Sequence, residues 1–396
     1  MNILVFSFYF SPDLCAGAFR AEALVRALSD RFPSAKITIL TTKPNRYQSF
    51  ILEALEEESD GNKRIIRFPL PAHKSGMLDQ SKAFISYYLA CIRATKAKKY
   101  DLVIGTSSRL MTAVLAAKVA ISMRACLYLD IRDLFVDTIG DVLPKYFANL
   151  AKPFFSMMES YAFNAANHIN LVSRGFEAYI KQRYPKQKLS FFTNGIDSDF
   201  LMPMVGKESG LSVKKSDFIT VLYAGNVGDG QGLHLIVPLL ARELEDKVRF
   251  RIIGDGGRLI ELKAALDSFG VKNVQLVSPM PRYELLREYA EADVLFLHLN
   301  DYDAFRKVLP SKIFEYGASG KPIWAGVSGY ASDFICREID NSAVFTPCDW
   351  VGGLAAFQKL TLATIARPDF VSKFDRIDVM SQMAGDIQDV YLRRKQ

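Results

Sequence analysis

Residues 294–325 read VLFLHLNDYDAFRKVLPSKIFEYGASGKPIWA. The apolar run Val294 to Leu299 predicts a buried parallel strand, and Asn300 to Lys307 a polar loop at its end. Pro310 suits the first turn of a helix, because the N–H it lacks would have no partner there. Ser311 and the N–H groups after it then face whatever lies beyond the strand, where a helix carries partial positive charge. Lys312 adds a full charge, and Glu315 falls three residues on, near the same face. Donors and a lysine for phosphate, with a carboxylate one turn later for paired hydroxyls, suit a nucleotide-sugar site. A capped surface helix, with Glu315 paired to Lys312, accounts for the same residues equally well.

Upstream, the pattern repeats. Phe218 to Ala224 predicts a strand that runs into Gly225-Asn226-Val227-Gly228-Asp229-Gly230-Gln231-Gly232, a loop whose glycines let backbone lie against phosphate or sugar. The helix after it, ending at Glu245, contains Pro238, which either kinks it or marks its start. Val248 to Ile253 leads into a second tight turn, Gly254-Asp255-Gly256-Gly257. Leu354–Ile365 and Ile377–Leu392 read as terminal helices.

The first half opens alike. Ile3 to Phe10 is a strand pattern, a loop reaches Gly17, helical periodicity runs from Ala18 to Phe32, and Lys36 to Thr41 is the next strand. This is a βαβ opening without the G-x-G-x-x-G dinucleotide fingerprint. Gly17 allows close approach of a ligand, and Arg20 is either a phosphate contact or a solvent-facing helix residue. Cys126 to Asp130 is a further strand that ends in Ile131-Arg132-Asp133, where α/β sheets bind ligands. Asp133 there can serve as a base or orient an acceptor hydroxyl, and Arg132 can hold a phosphate; a plain Asp–Arg pair is the alternative. Leu143 to Phe163 reads as a helical pair with one apolar side, interrupted by Pro153. Periodicity is lost over 202–217, after an Asn194-Gly195 turn. The expected organisation is therefore α/β, with two Rossmann-like doubly wound domains facing across a ligand cleft: 1–200, 201–375, and a last helix, 376–396, that returns to the first domain.

The chain's 396 residues, 49% hydrophobic and 23% charged, accommodate two such cores. Its five scattered cysteines suggest reduced thiols, and neither a signal peptide nor a spanning segment is expected. A net charge of +7 fits a phosphorylated ligand or an anionic membrane; no zinc-finger or RNA-binding signature favours nucleic acid. Two Asp-x-Asp triplets, at Asp197 and Asp301, invite a divalent metal, but turn chemistry explains the first. Arg306 and Lys307 supply charge beside the second, so no metal is expected. His73, His168, His234 and His298 lack ligand spacing.

Three motifs, YAGNVGDGQGL from Tyr223, IIGDGG from Ile252 and LPSKIFEYGASGKP from Leu309, together resemble the donor domain of GT-B glycosyltransferases of family four. The likeness is closest to bacterial amino-sugar transferases of surface polysaccharide (O-antigen or capsule) assembly. YFSPDLCAGAFR, IRDLF and TNGID are similar to that group's first domain. The resemblance implies a retaining transferase that needs no metal or other cofactor. It would move an N-acetylamino sugar from a UDP-sugar to a lipid-diphosphate-linked saccharide. It gives Glu315 the ribose hydroxyls and Ser311 and Lys312 the diphosphate, beside Pro310. Gly225, Asn226 and Gly228 line the phosphate side, with Gly254, Asp255 and Gly256 next to them. Gly17 and Arg20 close over it. Arg132 and Asp133 belong to the acceptor, with Asp133 nearest to the histidine common in the family. Lys307 stands where many members carry a first glutamate, eight positions before Glu315. A cytoplasmic protein in peripheral contact with an anionic membrane is the expected setting. A UDP-sugar 2-epimerase and a catalytically silent nucleotide-sugar-binding scaffold are the alternatives.

Overall fold

The computed structural model describes the chain except residues 14, 46–52, 72–76, 108, 143–144 and 201–216, and gives backbone alone for 77–80, 141–142, 145 and 147. Most of the 202–217 linker and His73 lie outside the described residues. The chain divides into two compact units, Met1–Asn194 with Arg376–Gln396, and Gly195–Asp375.

Unit 1 runs β1 (Asn2–Ser7), α1 (Ala16–Arg31), β2 (Lys36–Thr42), β3 (Glu57–Asp60), β4 (Lys63–Phe68), α2 (Met77–Thr95), β5 (Leu102–Ser107), α3 (Leu110–Met123), β6 (Cys126–Ile131), α4 (Phe135–Val142), α5 (Lys145–Ala165), β7 (His168–Leu171), α6 (Glu177–Arg183) and β8 (Leu189–Ser190). Unit 2 runs β9 (Ile219–Ala224), α7 (Leu233–Glu243), β10 (Val248–Ile253), α8 (Leu259–Ser268), β11 (Val274–Val277), α9 (Arg282–Glu291), β12 (Val294–His298), α10 (Lys312–Ala318), β13 (Ile323–Gly326), α11 (Tyr330–Glu338), β14 (Ser342–Phe345), α12 (Trp350–Phe357) and α13 (Pro368–Lys373). The last helix, α14 (Arg376–Lys395), packs against α1 and so completes unit 1.

Both sheets are parallel, apart from the antiparallel pair β3–β4. Their orders are β3-β4-β2-β1-β5-β6-β7-β8 and β11-β10-β9-β12-β13-β14. Continuous apolar strands belong in such sheets because helices cover both faces; β5 and β6 are buried along their whole length. In unit 2 one apolar cluster joins Leu222 and Leu295 to Phe314 of α10, and another joins Val221 and Phe296 to Trp324 of β13, so successive residues of β9 and β12 face opposite layers. Pro153 does not interrupt the chain as expected; α5 continues through it, and Pro238 likewise sits inside α7. Strand order reverses between β1 and β5 in unit 1 and between β9 and β12 in unit 2. Loops at the carboxyl ends of those strands are where such sheets hold ligands.

Candidate functional site

At the reversal point of unit 2, Lys312 reaches from the start of α10 to the loop after β9. Its Nζ donates to the Tyr223 hydroxyl at 3.3 Å and lies 4.7 Å from that ring's centre. A Cβ added to Gly225 would fall 2.2 Å from this Nζ, so the ammonium rests directly against the glycine turn. The Tyr223 hydroxyl in turn donates to the Asn226 carbonyl at 2.7 Å. One turn along α10, Glu315 accepts a hydrogen bond from the buried Tyr289 hydroxyl at 3.2 Å. Burial, and secondarily the charge of Glu315, hold that hydroxyl well above the usual tyrosine range, so it remains a donor. The two tyrosines that set Lys312 and Glu315 are not legible as site residues, because Tyr223 closes an apolar strand and Tyr289 lies on a charged helix, and neither setting marks a site.

The rest of the glycine loop is shaped from within. The Asn226 amide donates to Gln231 Oε1 at 2.7 Å, and the Gly228 N–H donates to the same oxygen at 3.2 Å. His298, at the end of β12, places Nδ1 2.7 Å from the Gln231 carbonyl, and its Nε2 accepts from the Cys348 N–H at 3.0 Å. Burial lowers its pKa to about 4, so the ring is neutral with its proton on Nδ1. His298 thus ties β12 to the glycine loop and to the turn after β14.

Several expectations need correction. Gly254 and Gly256 press on the first turn: added Cβ atoms would meet the Gly225 and Val227 carbonyl oxygens at 1.8 and 2.5 Å. The Asp255 carbonyl accepts from Val227 N, and its side chain accepts from Gly256 N. Helix α10 begins at Lys312 and is seven residues long; Pro310 precedes it, and Ser311 provides no side-chain cap. The positive charge at this point is therefore mainly that of Lys312, not of a long helix. Lys307 ends a short 3-10 turn. Both triplets face arginine: Asp199 meets Arg282 at 2.7 Å and Asp197 pairs with it too, while Asp303 and Asp301 lie 3.6 and 3.8 Å from Arg306. Among the described residues no group of three His, Cys, Asp or Glu is placed to hold a metal.

In unit 1, Arg20 is buried rather than facing a ligand. Its Nε and one terminal nitrogen both donate to Asp130 at 2.8 Å, and it also donates to the Phe192 and Thr193 carbonyls. Thr106 and Asn170 complete the shell of Asp130. The Asp–Arg pair at this strand end is thus Asp130–Arg20, which removes Arg20 from the phosphate contacts. Arg132 remains: its guanidinium covers Gly17, 2.5 Å from where a Cβ would stand, and its buried Nε has no hydrogen-bond partner among the described residues. Burial, with Arg20 as a like-charge neighbour, lowers its pKa. Desolvation raises the Asp133 carboxyl to about 6 against the pull of Arg132, although the residue's own surface is open to solvent. Arg109, unnoticed in the sequence, follows the adjacent strand β5, donates to the Tyr9 hydroxyl at 2.9 Å and covers the Phe8 ring at 4.4 Å. Its signal was available: like Arg132, it stands just past a buried strand.

Residues 207–361 match the family model described as glycosyl transferases group 1. The chain carries a glycosyltransferase domain. It is 23% identical to the colanic acid biosynthesis glycosyl transferase WcaI of Escherichia coli (strain K12), over 98% of this chain and all of that one. Among solved structures, the transferase resembles sucrose-phosphate synthase of Thermosynechococcus elongatus (TM-score 0.73, 15% identity), covering 99% of this chain and 100% of that one. It also resembles Anabaena HepE in complex with UDP-glucose (TM-score 0.67, 15% identity), covering 98% and 100%. The fold is accordingly the GT-B fold.

Proposed function

We propose that this transferase moves a sugar from a UDP-sugar to a lipid-diphosphate-linked saccharide, with retention of configuration and without a metal. An N-acetylamino sugar is the donor class, and surface polysaccharide synthesis the setting. The observation that carries the reading is the Lys312 ammonium held against Gly225 at the strand-order reversal, with Glu315 one turn away. The ammonium and the Gly225–Gly228 backbone take the diphosphate, Ser311 adds a hydroxyl, and Glu315 accepts from the ribose hydroxyls. The complexes of HepE with UDP and with UDP-glucose support a uridine nucleotide, and the likeness to WcaI supports a polysaccharide acceptor. In unit 1, Arg132 and Arg109 hold the acceptor's phosphates, and Asp133 orients its hydroxyl.

As the bond from the anomeric carbon to the diphosphate breaks, the electron pair leaves with UDP and Lys312 stabilises the growing charge. The acceptor oxygen bonds to the same face of the sugar, and its proton passes to a leaving phosphate oxygen. Calorimetric titration with UDP and GDP, with and without magnesium, tests the donor site. Lys312→Ala is expected to weaken UDP binding about 10- to 100-fold, the equivalent of a charge-assisted bond of roughly 1.5–3 kcal/mol. Glu315→Gln should weaken UDP less and cut transfer. Unchanged UDP affinity in Lys312→Ala would refute the assignment.

A further inference from the structure

We infer that a groove at the amino ends of the unit 1 strands is a second ligand site, which takes a sugar phosphate. The groove has a volume of about 640 Å³, inside the roughly 300–1,000 Å³ range of small-molecule sites. Strand register sets its floor. Asn2 of β1 pairs with Lys36 of β2, and Thr38, two residues on, pairs with Arg64 of β4, so these four side chains share one face of the sheet. Lys98, Lys99 and Tyr100, between α2 and β5, line it as well, with Asn62 from the β3–β4 turn. Its frame is fixed from within the chain. Ser29 donates to Asn62 Oδ1 at 2.6 Å, the Asn62 amide donates to the Phe32 carbonyl at 3.1 Å, and the Asn2 amide donates to the Lys99 carbonyl at 3.1 Å. Arg109 and Arg132 follow the carboxyl ends of β5 and β6, so this groove lies at the other end of the same sheet, roughly 20 Å away along six-residue strands.

Charge selects the ligand. Five lining residues are basic, Lys36, Lys63, Arg64, Lys98 and Lys99, and none is acidic. The acids at its margin are already engaged: Glu57 with Arg64 at 2.6 Å, Asp60 with Lys63 at 2.7 Å, and Asp101 with the Asn2 N–H at 2.7 Å. Arg26 of α1 and Lys395 of α14 act on Asp60 and Asp101 in addition. Lys36, Lys98 and Lys99 join no ion pair within 4 Å among the described residues; Lys98 acts on Glu57 from farther off. Three uncommitted ammonium groups suit the two negative charges of a phosphate monoester. The rest of the lining suits a sugar. Ser34, Thr38 and Ser59 offer hydroxyls between the cations. Tyr100 is 6% exposed, and its hydroxyl, with Thr38 and Arg64 as neighbours, has no partner at hydrogen-bond geometry among the described residues. Burial holds that hydroxyl above the usual tyrosine range, so it remains a donor for a ligand oxygen. None of the chain's exposed large apolar side chains lines the groove, so a bilayer finds nothing here to take up. The inference is independent of the donor-site reading, since no residue of unit 2 takes part.

The test is calorimetric titration of the whole chain with glucose 1-phosphate, glucose 6-phosphate, glucose and inorganic phosphate. At least one sugar phosphate is expected to bind tenfold or more tighter than glucose and than phosphate alone. That binding should persist in saturating UDP, in Lys312→Ala and in Arg132→Ala, which separates the groove from the donor and acceptor sites. Lys36→Glu/Lys98→Glu should weaken it at least tenfold, and Tyr100→Phe by about three- to tenfold, the equivalent of one neutral hydrogen bond. Unchanged urea-unfolding midpoints in these variants would show that they fold. Failure of both sugar phosphates to bind the unaltered chain, equal binding in the variants, or displacement by UDP would overturn the proposal. So would inorganic phosphate that binds as tightly as the sugar phosphates, since the groove would then hold an anion alone. Binding to phosphatidylglycerol vesicles that Lys36→Glu/Lys98→Glu abolishes would overturn it too, because a bilayer would then own the lysines.

Discussion

Arg20 meets Asp130 through two 2.8 Å hydrogen bonds, with neither side chain exposed. Removing one member of such a pair leaves a buried charge without compensation, at a cost of about 3–5 kcal/mol. Arg20→Leu should therefore lower stability by that amount in urea unfolding while leaving UDP affinity in the folded fraction unchanged. A stable variant with weakened UDP binding would return Arg20 to the phosphate site. The pair was illegible in sequence because its members stand 110 positions apart, and an arginine near a helix start looks the same whether it faces water or a carboxylate. His298 offers a second test. Its pKa is lowered from 6.5 to about 4, so the unfolded chain binds the extra proton first as pH falls. Its stabilising contribution is complete above pH 6.5 and is lost progressively toward pH 4, by roughly 3 kcal/mol in all. His298→Gln, which keeps a donor and an acceptor, should flatten the dependence of unfolding free energy on pH in that window. An unaltered slope would mean that this ring does not titrate there.

The elements that position Lys312 are a strand end, a short helix and two stacked glycine turns, and the turns tolerate almost no added volume. Gly254 has φ +151°, and its missing Cβ is the space that the Gly225 carbonyl occupies. Gly254→Ala must push the first turn away from Lys312, adding strain of about 1–3 kcal/mol. It should lose UDP affinity at least tenfold. Gly257→Ala, three residues on, meets nothing within 4 Å and should bind UDP as the unaltered chain does. Equal affinity in the two variants would remove the turn's role. Strand, loop and helix order around these turns was readable because a short apolar run that ends in glycine rarely folds as anything but a buried strand entering a turn. Helix α3 was not: Leu110 to Met123 holds one charged residue and nine buried ones, so no polar face marks its period. In α5 the proline suggested a break, but a helix packed along one side through Ala148, Glu159, Ala162 and Phe163 keeps its course across one missing N–H.

At the scale of the molecule, the chain leaves unit 1 after Asn194 and re-enters it at Arg376, whose Nε donates to the Asn194 carbonyl at 2.8 Å. The returning helix α14 is structural in unit 1. Met380, Met383, Ala384 and Ile387 are fully buried in the cluster that also holds Ala21, Leu24 and Leu28 of α1. Asp386 accepts from the buried Tyr128 hydroxyl at 2.8 Å, and Arg394 donates to the Arg124 carbonyl at 2.9 Å. The pattern of 377–392 announced a helix, and its return to the first domain was expected, but the partners that receive it lie hundreds of positions earlier and no local pattern names them. Exposing that apolar face would cost on the order of 10 kcal/mol, at about 1.5–3 kcal/mol for each large side chain uncovered. That is comparable to the whole stability of a domain. A chain ending at Asp375 should therefore lose the cooperative unfolding of unit 1 and expose its strands to limited proteolysis. Unit 2, whose two cores contain no residue of α14, should resist the protease and still bind UDP through Lys312. If unit 1 stayed protected in that chain, α14 would be a surface addition, and the apolar row it buries on α1 would need another cover.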